Sequence, residues 1–169
     1  MSTLQSKKAV VSEVAELANS AHSLVLSEYH GLTVAQLTSL RNEARQHNVD
    51  VRVVKNTLAR RAFDGTQYEA VIEHLVGPLI MAFSLDEEDP VAGVRIIHNF
   101  LKDKANEKLV VKTIAHDGEV HDASALKAIA TLPTKDEAIS MLLAVLKAPV
   151  QKLAATLASV RDKKESEAA

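Results

Sequence analysis

The strongest constraint on this chain is a C-terminal segment too apolar to stand in water and too long to be buried by the residues before it. Lys135 to Ala169 follow Leu132-Pro133-Thr134, and between Ile139 and Val160 the only charged residues are Lys147 and Lys152. Thr134 and Glu137 form a capping box that starts a helix. From there Ile139, Leu142, Leu146, Val150, Leu153, Leu157 and Val160 recur at steps of three and four, one face of that helix. At about 1.5 Å per residue it is roughly 45 Å long. The preceding residues would make a body with a radius of gyration of about 14 Å. Most of the stripe therefore needs a partner outside that body.

The stripe repeats. Ile139, Leu142, Ala144 and Leu146 are matched eleven positions on by Val150, Leu153, Ala155 and Leu157. Eleven residues are close to three helical turns, so both units present nearly the same face. Pro149 lies between them and cannot donate an intrahelical hydrogen bond, which predicts two segments with a kink or short break. A core helix and a self-paired coil are the alternatives. Length and duplication argue against the first, and the proline against an uninterrupted coil. Two similar grips in series point to two copies of one partner.

Composition sets the class. With 47% apolar and 25% charged residues among 169, the chain is one ordinary domain plus an extension. The lysines interrupt any transmembrane-length apolar run, the N-terminus lacks a signal-peptide pattern, and there is no cysteine, so a cytoplasmic protein is expected. Net charge is only −2, but its distribution is uneven. Arg41, Arg45, Arg52, Lys55, Arg60 and Arg61 face only Glu43 and Asp50 across residues 41–61. Residues 62–94 hold no Lys or Arg and carry the run Asp86-Glu87-Glu88-Asp89. One side of the body is basic and another acidic.

Local patterns predict helices over 4–20, from a Thr33–Gln36 capping box to about His47, from an Asn56 cap to Phe63, over 68–76, from Asp89-Pro90 to about Lys104, and over 122–131. Strands are predicted at 22–28, 49–54, 79–84 and 109–115, with a turn at Asp117-Gly118. Helices packed on a four-stranded sheet make an α/β sandwich, bounded by Leu132-Pro133-Thr134.

No catalytic constellation accompanies this layout. There is no glycine-rich phosphate loop, nucleophile elbow or zincin motif. The seven histidines are scattered, and His116 and His121 read as solvated surface rather than a metal pair. Neither an enzyme nor a resident metal or cofactor is expected. The basic stretch differs: Arg52 leaves a strand, Lys55-Asn56 opens a helix, and Arg60-Arg61 follow on the next turn. Strand end, loop and helix start converge there, the arrangement that holds phosphate, with a solvated basic face as the alternative.

These residues together resemble the bacterial family of large-subunit ribosomal protein ten (universal family uL10), the ribosomal stalk base. The blocks are Tyr29-His30-Gly31-Leu32-Thr33-Val34, Val53-Val54-Lys55-Asn56-Thr57-Leu58 with Arg60-Arg61-Ala62, Gly77-Pro78, Leu132-Pro133-Thr134 with Glu137, and Ala148-Pro149. The resemblance implies an α+β fold: a ferredoxin-like sandwich with a four-stranded sheet over 1–132, and a protruding helical spine, kinked near Pro149, over 133–169. It implies that the first part binds large-subunit ribosomal RNA beside ribosomal protein eleven, through Lys7, Lys8, Tyr29, His30, Gly31, Arg52, Lys55, Asn56, Arg60 and Arg61. It implies that Ile139, Leu142, Leu143, Leu146, Val150, Leu153, Leu157 and Val160 dock dimers of the acidic seven/twelve stalk protein, which recruit translation GTPases. Two eleven-residue units imply two dimers. Members of the family also repress their own messenger. Neither a membrane nor a small-molecule substrate is implied, and the location is the cytoplasmic ribosome.

Overall fold

A computed structural model describes residues 4–103, 106, 108–116 and 118–167, with side chains through 164. The chain divides into two compact units, Met1–Leu132 and Pro133–Ala169. The first unit runs α1 (Leu4–Ser20), β1 (Ser23–Glu28), α2 (Val34–Gln46), β2 (Val49–Arg52), α3 (Asn56–Phe63) and a 3-10 segment (Glu69–His74). It continues with β3 (Leu79–Ser84), α4 (Ala92–Lys102), β4 (Val110–His116), β5 (Glu119–Asp122), a 3-10 turn (Ala123–Ala125) and α5 (Leu126–Ala130).

Every strand pairs antiparallel, in the order β2-β3-β1-β4-β5. The first four strands form the ferredoxin-like pattern, with β1 and β3 central and β2 and β4 outside them. Where the sequence predicts four strands, the sheet has five. The additional one, Glu119-Val120-His121-Asp122, pairs with β4 from His116 to Thr113. Its single apolar residue gives no alternation to read, so pairing with a neighbour decides its conformation. The helix predicted at 68–76 is a tighter 3-10 segment, and β2 stops at Arg52, leaving Val53 and Val54 in the connection to α3. Lys104 and Asp117, at the expected ends of a helix and a turn, lie outside the described residues.

Both sheet faces are covered. Leu24, Leu26, Leu79, Met81 and Phe83 pack with Val14 and Ala18 of α1 and Ala59, Ala62 and Phe63 of α3. The intervening residues Val25, Ile80 and Ala82 face Leu40 and Ala44 of α2 and Val94 and Ile97 of α4. This explains why SLVLSE and LIMAFS read as nearly continuous apolar runs rather than alternating ones. Tyr68 and Phe83 flank Phe63 at centroid distances of 6.3 and 6.4 Å. The buried Tyr68 hydroxyl donates to the Ala21 carbonyl at 2.8 Å, tying the 3-10 region to the α1–β1 junction. The Thr33–Gln36 capping box opens α2, and Asn48 (φ 52°) takes the left-handed position after it.

The second unit is one helix, α6 (Lys135–Glu167), of 33 residues and thus about 50 Å long. Thr134 N–H donates to Glu137 Oε2 at 3.1 Å and Glu137 N–H to Thr134 Oγ1 at 3.3 Å, which is the expected capping box. Of the kink or short break expected at Pro149, the break does not occur, and α6 is one helix through the proline. The proline removes one donor, while the Ala-, Leu- and Lys-rich flanks favour helix on both sides. By length and composition alone, residues 135–164 could also cross a membrane, where the sequence reading excluded this on the strength of Lys147 and Lys152.

α4 lies close on β3 because residue 93 has no side chain. The Gly93 amide donates to Ser84 Oγ at 2.9 Å, and a Cβ at Gly93 would sit 2.9 Å from the same oxygen. Ser23 Oγ lies 2.9 Å from Ser84 Oγ and donates to the Pro90 carbonyl at 2.7 Å, so this buried hydroxyl pair cannot move away freely. Gly93→Ala is expected to lower unfolding free energy by about 1–3 kcal/mol. Urea denaturation checks this, and an unchanged midpoint would show that α4 shifts outward without cost.

Candidate nucleic-acid interface

Packing of α1 on α3 leaves the basic ends of both helices outward. Val14 and Ala18 of α1 and Ala59, Ala62 and Phe63 of α3 face the sheet, while Lys7, Lys8, Arg60 and Arg61 are exposed. Between α1 and the β2–α3 connection lies a cleft of 530 Å³. Its walls are Val10, Val53, Val54 and Leu58, with Lys7, Lys55 and Arg61 also lining it. A neighbouring hollow of 320 Å³ adds Lys8 beside Lys7 and Arg61. A further cleft of 520 Å³ shares Val53, Val54, Lys55 and Thr57, and brings in Tyr29, Asn56, Gly77 and Pro78. Six of the ten residues expected to contact RNA therefore line three adjoining depressions: Lys7, Lys8, Tyr29, Lys55, Asn56 and Arg61.

The local chemistry at this junction differs from the expected cap. Lys55 is the N-cap of α3 and makes no side-chain capping bond. Asn56 is instead the first helical residue, and its Nδ2 donates to the Gly77 carbonyl at 2.9 Å. Gly77 has φ +94°, which demands glycine, and a Cβ there would lie 2.7 Å from Glu28 Oε1, so the Glu28 carboxylate would have to give way. Lys112 pairs with Glu28 at 2.6 Å and donates to the Val76 carbonyl at 2.8 Å. The Tyr29 amide donates to the Pro78 carbonyl at 3.4 Å. Asn56, Glu28 and Lys112 together hold the Gly77-Pro78 turn against the start of α3.

The other expected contacts are placed differently. Arg52 reaches across to α1, 3.0 Å from Glu13 and 2.9 Å from Asp50. Burial lowers the guanidinium's proton affinity, but the two carboxylates outweigh it and hold the pKa above its ordinary value. Arg60 donates to the Leu75 carbonyl at 3.1 Å, on the side of the 3-10 segment. His30 and Gly31 are exposed in the loop beyond Tyr29 and line none of the three depressions. Gly31 lies against the stem of Lys108, whose Cδ is 3.1 Å from where a Cβ would be. Lys108 thus joins this basic side from a distant part of the chain, and no local sequence pattern marks it.

On α6, the eight residues of the expected docking stripe are all exposed, from 48% at Ile139 to 72% at Val150. Met141 and Val145 are also exposed but fall away from the stripe by about 100° per residue, so the first eleven-residue unit is apolar more nearly all round. Among the described residues, no group of three or more His, Asp or Glu side chains could hold a metal ion.

Residues 2–102 match the family model of ribosomal protein L10, and residues 132–169 match that of the ribosomal protein uL10 C-terminal region. The chain belongs to the uL10 family of large-subunit ribosomal proteins. It is 53% identical to the large ribosomal subunit protein uL10 of Hydrogenovibrio crunogenus and 48% identical to that of Thioalkalivibrio sulfidiphilus, over 98% of both chains in each case. Against the uL10 of Acinetobacter baumannii the identity is 43%, again over 98% of each chain. A uL10 protein is a structural part of the ribosome and not an enzyme, so this chain resides in the cytoplasm within a particle built on ribosomal RNA. That setting also accounts for α6 as a ribosomal helix rather than a membrane span.

Within this family member, Arg52 joins α1 to β2 through partly exposed ion pairs, which are screened by solvent. Arg52→Gln is therefore expected to cost no more than about 1 kcal/mol of stability. Chemical denaturation checks this, and a loss several times larger would make Arg52 essential to the α1 packing.

Proposed function

We propose that the chain is the two-ended base of the ribosomal stalk. The Met1–Leu132 unit binds large-subunit ribosomal RNA beside ribosomal protein eleven, through Lys7, Lys8, Tyr29, Lys55, Asn56 and Arg61. His30, Gly31, Arg52 and Arg60 lie around this contact. Lysines and arginines on phosphates position the body without reading sequence, so selectivity rests on RNA shape and on unpaired nucleotides. The same surface takes the chain's own messenger leader and represses its translation.

The observation that carries the other half is the duplicated stripe of α6, every residue of which is about half-exposed or more. Each eleven-residue unit lies in the groove of one dimer of the seven/twelve stalk protein, the mode in which an amphipathic helix presents regularly spaced anchors. Ile139, Leu142, Leu143 and Leu146 serve the first dimer, and Val150, Leu153, Leu157 and Val160 the second. Burying eight such side chains at about 1.5–3 kcal/mol each yields a gross gain of roughly 12–24 kcal/mol at most. Ordering and association remove a large share, leaving tight binding with slow release. Lys147 and Lys152 at the rim favour an acidic partner. The docked dimers in turn recruit translation GTPases.

Two measurements test the two ends. Leu146→Asp and Leu157→Asp are each expected to lose about one dimer, counted by native mass spectrometry, with RNA binding intact. Three dimers on the unaltered chain, or loss of RNA binding in either variant, would overturn the assignment. Lys55→Gln and Arg61→Gln should each reduce the slope of log affinity against log salt by about 0.7–0.9. An unaltered slope in both would move the RNA contact elsewhere.

A further inference from the structure

The cleft between α1 and the β2–α3 connection combines two surfaces that a phosphate site alone does not need. Its walls are largely apolar, built from Val10, Val53, Val54 and Leu58, and it carries the cations Lys7, Lys55 and Arg61. Among the described residues, no carboxylate lines it. At 530 Å³ it falls within the size range of small-ligand sites. An intact RNA duplex offers phosphates and 2′-hydroxyls to such a surface but has nothing apolar to insert. A single unpaired nucleotide matches both parts: its phosphates meet the cations and the faces of its base meet the aliphatic walls.

We propose that this cleft receives one nucleobase extruded from the bound RNA, with Lys7, Lys55 and Arg61 holding the phosphates that flank it. The inference rests on RNA binding by this face and adds what the cleft itself recognises. Among the described residues, no aromatic side chain lines it, so the base is gripped by aliphatic packing rather than by stacking on a ring. Tyr29 lies across the Val53–Thr57 ridge in the adjoining cleft, where it can meet a neighbouring nucleotide. The α1–α3 packing sets the width of the cleft, which therefore exists before RNA arrives.

Filling the cleft without changing its charge separates the base from the phosphates. Thr57 and Val53 are both exposed on its wall, so Thr57→Trp and Val53→Trp can occupy the cavity while leaving the core untouched. The full chain is titrated with transcribed large-subunit ribosomal RNA across a salt series, and base accessibility in the complex is mapped by chemical modification. Each tryptophan variant is expected to bind about tenfold or more weakly with the salt slope of the unaltered chain. At least one unpaired base protected by the unaltered protein should become reactive again. If both variants bind as the unaltered chain does, with the same protections, the cleft takes no base even though RNA binding by this face stands. If the unaltered chain shows no binding to this RNA, the RNA assignment itself fails.

Discussion

Everything in the first unit depends on two central strands being buried on both faces. β1 and β3 pair from Ser23 with Ser84 to Glu28 with Leu79, and almost none of their side chains reaches water. An antiparallel sheet with one wet face would need only α2 and α4. Here the second face is equally apolar, so α1, α3 and the 3-10 segment must lie on it. The basic face is a consequence of that demand. Helices recruited to cover Leu24, Leu26, Met81 and Phe83 turn their remaining sides outward, and on those sides the sequence carries Lys7, Lys8, Arg60 and Arg61. The cleft between α1 and the β2–α3 connection is the space left where two small helices and a strand end cannot close over one another.

How much of this was legible follows from the range over which each signal acts. The capping boxes at Thr33 and Thr134 and the apolar runs of β1 and β3 are local, and the structure has them where their residues predict. β5 is not local: Glu119-Val120-His121-Asp122 becomes a strand because β4 offers a free edge. Asn56 shows the same limit at the level of one side chain. Its residue type favours a helix cap, but the Gly77 carbonyl, twenty-one positions away, takes its amide instead. Arg52 looks like a free outward cation in the sequence, yet Glu13 of α1 lies within 3.0 Å once the helix is packed. Lys108 reaches the same side only because the start of β4 lies beside the Gly31 loop. Charge runs could be read from the chain; which charges share a surface could not.

Pro149 teaches the complementary lesson. A proline inside a helix costs about 3 kcal/mol in isolation, enough to predict a kink or short break. The break does not occur, because the alternative is worse. An interruption would forfeit further hydrogen bonds around Ala148 and shift the second eleven-residue unit away from the face of the first. Pro149 falls three residues after Leu146 and four before Leu153, at the edge of the same face, and its apolar ring continues the surface that the helix presents.

The two surfaces rest on different physics, and this is why they can serve one scaffold. Cation–phosphate contact works by releasing condensed counterions and weakens steeply as salt rises. Burial of Leu146 or Leu157 gains from removing apolar area from water, and salts that strengthen exclusion at the surface strengthen it. A partner held by one end therefore does not compete for the forces that hold the other. On the proposed function, the cations gathered around α3 and the apolar stripe on α6 separate the two kinds of partner by chemistry.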